Sequence, residues 1–365
     1  MLFSRSKSVL GIDIGTSYIK AVQIKQEKGT AILESYGMVH VVYPAGGEGK
    51  FNILDQTAEV LSDLYKRSNF TTKKVVVSMP ANMVFVSILN LPSIPEKDIQ
   101  SSIEYKAQKY IPLPLQDVNL SWQIIRQEKA LKVPILKKKE DKEDIEGEEP
   151  VAPKQDQGVD VLLTALAKNV VNNYLHIIDA AGLEPVALEV ETLSQIRALV
   201  GPQTPNGVLI VDIGAKTTNL TLVDRGYLYG SRHLTVGGDS ITDSIASAFG
   251  VSFDRAEEIK RSSFQKQTVT PTLQVAGTVI EIIKSECEQL MKIMTSQGKK
   301  VSEIILTGGG SELENIDQEF ILLGPKVTRG NPLAKIIYDP KVEAKLSALS
   351  SQLTVGVGLA LRTEH

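Results

Sequence analysis

Three stretches of the chain carry residues whose types and spacing suit phosphate chemistry. Asp13-Ile14-Gly15-Thr16-Ser17 and Asp212-Ile213-Gly214-Ala215-Lys216-Thr217 each follow an apolar run, and Thr307-Gly308-Gly309-Gly310-Ser311 follows a third. A turn that cradles phosphate needs glycine, so that backbone amides approach the anion without a Cβ in the way. It also needs hydroxyls to donate hydrogen bonds. Gly15, Thr16 and Ser17 meet both needs in the first turn, and Gly214, Lys216 and Thr217 in the second. Two such turns facing each other clamp terminal phosphates from both sides. Asp13 and Asp212, each at a strand end, are positioned to hold Mg²⁺ through its waters, because that ion keeps several of them. Gly308, Gly309 and Gly310, read as the start of a helix, suit an α-phosphate and the flat adenosine. Lys20 and Gly238 are assigned to the same site.

These residues need strands that end together. Val9 to Ile14 reads as a buried strand, Tyr18 to Ile24 as its hairpin partner and Thr30 to Tyr36 as a third strand after the turn at Lys28-Gly29. The order returns later as Val208 to Ile213, a partner from Thr218, and a third strand around Tyr227 to Ser231. A loop at Pro44–Gly49 and a cap at Asn52 lead into a helix, and Lys74 to Met79 is a strand ending at Pro80. Val84 to Leu89 is strand-like. Ser93-Ile94-Pro95-Glu96 is a helix start, and that helix runs to about Tyr110 before Pro112 stops it. Glu191 to Val200, Ser240 to Phe249, Leu273 to Ser296, a helix from Ser311 and Leu353 to Leu361 complete the helical expectations used here.

Composition excludes several classes. The chain has 365 residues and a formal net charge of -3, so it is long enough for more than one compact unit and shows no basic face for nucleic acid. Cys287 is the sole cysteine, which rules out an internal disulfide and points to a reducing, cytoplasmic setting. No apolar run approaches the roughly 20 residues of a spanning helix. Residues 137–158 are highly charged and nearly free of apolar side chains, and are expected to be a mobile loop. The histidines and Cys287 show no metal-ligand spacing.

With the motifs taken in order, the chain resembles the actin, sugar-kinase and heat-shock-chaperone superfamily. Residues 11–24, 208–223 and 304–316 resemble its two phosphate motifs and its adenosine motif. Glu189 to Leu199 and Leu353 to Leu361 resemble its two connecting helices. The fold this implies is α/β and two-lobed, from duplicated βββαβα units. Within the superfamily it is similar to FtsA, whose 1C insert takes the place of actin's 1B. The insert itself resembles that of the PilM family of type IV pilus assembly proteins. The residues carrying this likeness are Ser78-Met79-Pro80, Leu89-Asn90-Leu91-Pro92, Ile103-Glu104-Tyr105-Lys106-Ala107, Lys109-Tyr110-Ile111-Pro112 and Asp117-Val118-Asn119-Leu120. The implied subdomains are 1A (1–78, with 167–200 and about 345–365), 1C (79–166), 2A (201–236 and 300–344) and 2B (237–299).

The resemblance implies an ATP- and Mg²⁺-binding scaffold, cytoplasmic and peripheral to the inner membrane through a partner. That partner is the short cytoplasmic N-terminal tail of PilN, held in a groove between 1A and 1C. The pilus motor ATPase and other inner-membrane pilus proteins are further partners. Val84, Phe85, Val86, Tyr105 and Tyr110 are the expected groove residues, while Ile99 and Ile103 are expected in the core. Ala256-Glu257-Glu258-Ile259-Lys260 resembles a segment of FtsA and MreB, which gives Glu257 to ribose hydroxyls and Lys260 to the base; an exposed charged helix is the alternative. Glu191 stands where some relatives orient the attacking water and is the candidate general base. The alternative is a first-turn carboxylate that favours the helix dipole. Thr192-Leu193-Ser194-Gln195 departs from the Pro-rich pattern of MreB, so ATPase activity is expected to be weak at most. Two other functions compete. A small-molecule kinase needs a catalytic Asp near Glu191, which is missing. An FtsA-like division filament comes third, disfavoured because the expected membrane helix is missing after Arg362-Thr363-Glu364-His365.

Overall fold

The computed structural model describes residues 7–41, 53–92, 96–111, 113–127, 159–201, 204, 206–263 and 271–362. The Pro44–Gly49 loop, the Asn52 cap, the Ser93-Ile94-Pro95 helix start, the Pro112 stop and the charged stretch 137–158 lie outside these residues. The chain divides into a large compact unit, residues 1–83 with 170–365, and a small one, residues 84–169.

The large unit opens with β1 (Lys7–Ile14), β2 (Tyr18–Glu27) and β3 (Thr30–His40), an antiparallel meander rich in Val and Ile. Lys28 and Gly29 both have positive φ, at 51° and 82°, as a two-residue primed hairpin turn requires. After α1 (Ile53–Arg67), β4 (Lys74–Met79) returns parallel to β1. Here the small unit intervenes, with β5 (Val84–Leu91), α2 (Glu96–Tyr110), β6 (Val118–Gln127) and β7 (Val159–Ala167). Its antiparallel sheet, in the order β5-β7-β6, packs against the apolar stripe of α2 formed by Ile99, Ile103 and Ala107.

The large unit resumes with α3 (Lys168–Ala180), β8 (Glu184–Val190) and α4 (Glu191–Leu199). Next come β9 (Gly207–Ile213), β10 (Thr218–Asp224) and β11 (Tyr227–Leu234). Then follow α5 (Gly238–Phe249), α6 (Phe253–Ser263), α7 (Pro271–Thr295) and β12 (Val301–Thr307). The last elements are α8 (Ile316–Ile321), β13 (Lys326–Arg329), β14 (Ile336–Ile337), α9 (Glu343–Leu349) and α10 (Thr354–Ala360).

The two large sheets have the same build. One runs β14-β3-β2-β1-β4-β8 and the other β11-β10-β9-β12-β13. In each, a three-stranded antiparallel meander is extended on one side by two parallel strands, and the first sheet adds β14 in parallel at its other edge. Even the second meander turn repeats, since Arg225 and Gly226 have φ of 52° and 81°. The core of the second half gathers Leu209, Val211, Ile283, Cys287 and Phe320, all fully enclosed.

Three expectations are corrected. Ser311 does not open a helix; residues Gly309–Glu312 form a single 3-10 turn, and α8 starts only at Ile316. The sequence places residues up to 344 in the second lobe, yet β14 pairs in parallel with β3, and Leu333 and Ile336 pack among Val22 and Ile24. The C-terminal helix begins at Thr354, after a 3-10 turn at Ser350–Leu353. That helix is tied to β1 and α4 at very short range. A Cβ on Gly11 would lie 2.2 Å from the Gly356 carbonyl oxygen, and one on Gly358 would lie 2.0 Å from that of Ser194.

Candidate functional site

The site is built at the ends of β1 and β9. Each hairpin turn is closed by the same bond. The Gly15 amide donates to the Tyr18 carbonyl at 3.0 Å, and the Gly214 amide to the Thr217 carbonyl at 2.9 Å. A Cβ at either glycine would sit 2.9 Å from that carbonyl oxygen, so both turns need glycine for steric reasons. Thr16 and Lys216 are exposed at the tips, with Ser17 and Thr217 part-buried beside them.

In the first hairpin the register sets Lys20 opposite Asp13. Lys20 Nζ donates to Asp13 Oδ2 at 3.0 Å, and Ser78 Oγ, from the end of β4, donates to Asp13 Oδ1 at 2.8 Å. Burial works against the Lys20 ammonium. The nearby carboxylates of Asp13, Asp212 and Glu191 outweigh it and hold the lysine pKa above its ordinary value. All four side chains therefore share one electrostatic neighbourhood.

In the second hairpin Asp212 faces Asn219, not a lysine. Asp212 Oδ2 accepts from Gln195 Nε2 of α4 at 2.5 Å. Loss of water around Asp212 pushes its pKa up to about 6, against the pull of Lys20. Gln195 is wholly buried, and its Oε1 has no hydrogen-bond partner among the described residues.

Glu191 opens α4, as expected, but its Oε1 is already engaged. It accepts from the Ala81 amide at 2.7 Å and from Asn219 Nδ2 at 2.9 Å. Asn219 Oδ1 in turn lies 2.7 Å from His233 Nδ1. Desolvation, reinforced by Asp13 and Asp212, raises the Glu191 pKa to about 8. At neutral pH the carboxyl is therefore mostly protonated, which is the wrong state for a general base.

A second cluster adjoins the second hairpin. Gly237 allows α5 to begin against the turn, since a Cβ there would lie 2.7 Å from the carbonyl oxygens of both Gly214 and Ala215. The Gly238 amide donates to Gly214 at 2.9 Å and the Asp239 amide to Ala215 at 2.7 Å. Buried Lys260 reaches back from α6 to the Gly238 carbonyl at 2.9 Å and to Thr242 Oγ1 at 2.7 Å. Its partner Glu257 Oε2 is 2.6 Å away, and Thr242 donates to that oxygen too. Burial opposes ionisation of Glu257, but hydrogen bonds from Lys260, Thr242 and Arg261 prevail and bring its pKa down to about 2. Glu257 and Lys260 thus form a fixed, charged pair and not a loose solvated face.

The triple glycine has a different use from the expected helix start. Gly308 has φ of +80°, and a Cβ there would lie 2.3 Å from Asp212 Oδ1. A Cβ on Gly310 would lie 2.3 Å from Ile213 Cγ2. These two glycines let the segment pack onto the second hairpin, whereas Gly309 is exposed and has only ordinary contacts. Among the described residues, no group of three or more His, Cys, Asp or Glu side chains could hold a metal ion. Magnesium carried by phosphates needs only one or two carboxylates, and the oxygen-rich set of Asp13, Asp212 and the unpartnered Gln195 Oε1 suits so hard a cation.

The expected groove residues lie in the small unit. Phe85 packs against the small core with Ile103, Val161 and Leu163. Val84 and Val86, neighbouring it on β5, are part-buried. Ile99 and Ile103 are buried, whereas Tyr105 and Tyr110 are 63% and 57% exposed. The residues missed from sequence are Ser78, Gln195, Asn219 and Thr242. Equal spacing offered a signal for Asn219, which follows Asp212 by the interval that separates Asp13 from Lys20.

The duplicated sheets, paired hairpins and crossed connecting helices define an actin-like protein. The sequence profile of the family described as type IV pilus assembly protein PilM matches residues 11–148 and 148–364, and the chain belongs to that family. A solved PilM-PilN type IV pilus biogenesis complex contains a chain of the same fold, with a TM-score of 0.78, 23% identity and coverage of 97% of this chain and 98% of that one. The ethanolamine utilization protein EutJ from Carboxydothermus hydrogenoformans shares the fold at a TM-score of 0.57 and 15% identity, over 97% and 89% of the two chains. The cell division protein FtsA of Bacillus subtilis is 25% identical over 39% of this chain, and that of Escherichia coli K12 is 26% identical over 41%. The alignments span 36% and 42% of those two proteins. No helix of the described residues is long and apolar enough to cross a membrane.

Proposed function

We propose that this chain is an ATP-binding scaffold of pilus assembly, cytoplasmic and held at the inner membrane by the N-terminal tail of PilN. The observation that carries the nucleotide part is the pair of matched glycine turns with Asp13, Lys20, Asp212 and Glu191 in one neighbourhood. In this reading Gly15, Thr16, Ser17, Gly214, Lys216 and Thr217 take the phosphates, and Lys20 neutralises them. Asp13 and Asp212 receive Mg²⁺ through its waters. Glu257 and Lys260, beside Gly238, receive the ribose and base, and Gly309 stands open toward the nucleoside. Magnesium, when bound, supplies charge neutralisation to the phosphates.

Hydrolysis is at best slow in this reading. Glu191 is tied to Ala81 and Asn219, so its role is to anchor α4 to the hairpin. Partner binding falls to the small unit, where Tyr105 and Tyr110 are exposed and Val84 and Val86 line β5. Phe85 instead serves the small core.

The test is calorimetry with a synthetic PilN N-terminal tail, with and without Mg-ATP. Binding that Tyr105→Ala or Tyr110→Ala weakens supports the scaffold reading. No binding under either condition ends it, and rapid phosphorylation of an added metabolite would turn the reading toward a kinase.

A further inference from the structure

The first hairpin and α6 belong to different halves of the large unit, yet one side chain joins them. Arg261, near the end of α6, donates from Nε to Glu257 Oε1 at 2.9 Å. Its Nη2 donates to the Tyr18 phenol oxygen at 3.0 Å. Tyr18 is the residue whose carbonyl closes the Gly15 turn, and its ring rests against His40 with centroids 4.9 Å apart.

These bonds complete a circuit between the two glycine turns. From the Gly15 turn it passes through Tyr18 to Arg261, then to Glu257 and Lys260. Lys260 holds the Gly238 carbonyl, and the Gly238 amide holds Gly214 of the second turn. Arginine is suited to the middle of such a circuit, because its planar fork serves two acceptors at once where lysine presents a single point charge.

We propose that Tyr18 and Arg261 form a latch between the first hairpin and α6, which slows the escape of a bound ribonucleoside triphosphate. The latch rests on the nucleotide reading above. A triphosphate on the Gly15 turn and a ribose on Glu257 engage the two ends of the same guanidinium contact. Such a ligand favours the latched state over the open one, and the latch in turn retains the ligand.

Tyr18→Phe removes one oxygen and keeps the ring against His40. Arg261→Gln removes the donor fork. With Mg²⁺ and a fluorescent ATP analogue, stopped-flow displacement by excess ATP reads the dissociation rate. Each single variant is expected to release the analogue about three- to tenfold faster, as for one hydrogen bond of ordinary net strength. The double variant is expected to match Arg261→Gln alone. An unchanged rate in Tyr18→Phe, or single effects that multiply in the double variant, would overturn the latch. If the wild-type protein takes up no nucleotide, that defeats the nucleotide reading by itself. The latch is then judged by amide hydrogen exchange in nucleotide-free protein. Exchange over α6 several-fold faster in Tyr18→Phe supports it, and equal rates refute it.

Discussion

The two hairpins of the large unit share a backbone and differ in their charges. Both turns close through the same glycine bond, at 3.0 and 2.9 Å, and both carry an aspartate at the end of the central strand. The first aspartate faces a lysine and accepts from a serine of the neighbouring parallel strand. The second faces an asparagine and accepts from a glutamine of α4, while Thr307, at the place equivalent to Ser78, turns to Ser351 and Thr354. Duplication has therefore preserved the means of approaching an anion, while the charge balance has diverged. The first hairpin is an ion pair that a phosphate can share. The second is a carboxylate whose charge burial opposes, and its neighbours are spent on fixing α4.

The largest expected effects come from the glycines that seat each hairpin against the rest of the unit. Gly308→Ala forces a Cβ to 2.3 Å from Asp212 Oδ1 at a left-handed φ. Gly11→Ala drives one into the Gly356 carbonyl. Each is expected to cost about 3 kcal/mol or more in denaturant unfolding. By contrast Gly309→Ala, with only ordinary contacts, should unfold like the parent. If Gly308→Ala were neutral, the close seating of the second hairpin would be wrong.

Next in size is the asymmetry of ligand binding. Lys20→Ala removes the cation that faces Asp13, and is expected to weaken Mg-ATP binding about ten- to a hundredfold. Asn219→Ala, on the opposite strand position of the other hairpin, should weaken it by less than about threefold. Equal losses in the two variants, measured by calorimetry, would mean that the hairpins are equivalent after all.

Much of this pairing was legible in the sequence. The β-branched runs ending in Asp-Ile-Gly, repeated at 9–14 and 208–213, fix both central strands and their turns. Lys20 could be placed opposite Asp13 once the hairpin was drawn. What was not legible depends on tertiary neighbours. Gln195 of α4 reaches Asp212 of β9 across 17 residues of chain, and Arg261 meets Tyr18 across 243. No local pattern encodes either contact. The triple glycine misled because a helix start and a tight seat against a strand demand the same residue. Ile336–Ile337 was too short a run to announce that it completes the first sheet.

A smaller effect separates the two clusters by pH. The Glu191 pKa is raised to about 8, so the folded state holds a proton that the unfolded chain releases near its ordinary value. Stability from this group is complete at low pH, begins to fall above about 4.5 and is lost through about 8. Glu257 behaves in the opposite sense. Its pKa is lowered to about 2, so its stabilisation is present above the ordinary value and lost as pH falls toward 2. Melting temperature followed against pH should show both limbs. Glu191→Gln should flatten the neutral-to-alkaline limb and Glu257→Gln the acid one. A profile in which Glu191→Gln changes only the acid limb would contradict the burial assigned to that carboxyl.

The smallest expected effect tests the feature that belongs to the second hairpin alone. His233, Asn219 and Glu191 form a hydrogen-bonded row in which each side chain orients the next. Burial lowers the His233 pKa, so the ring is neutral at pH 7, and Nδ1 donates to the asparagine oxygen when it carries the proton. That bond fixes the Asn219 amide with its Nδ2 toward Glu191. His233→Phe keeps most of the ring volume and frees the asparagine oxygen, at an expected cost of about 1 kcal/mol in unfolding. Its sharper consequence is indirect. A mobile Asn219 gives Glu191 one donor fewer, so less of the carboxylate is stabilised and the neutral-to-alkaline limb of the melting profile should move toward higher pH. A limb that stays in place would mean that the Ala81 amide holds Glu191 without help, and that the second hairpin contributes only geometry to α4.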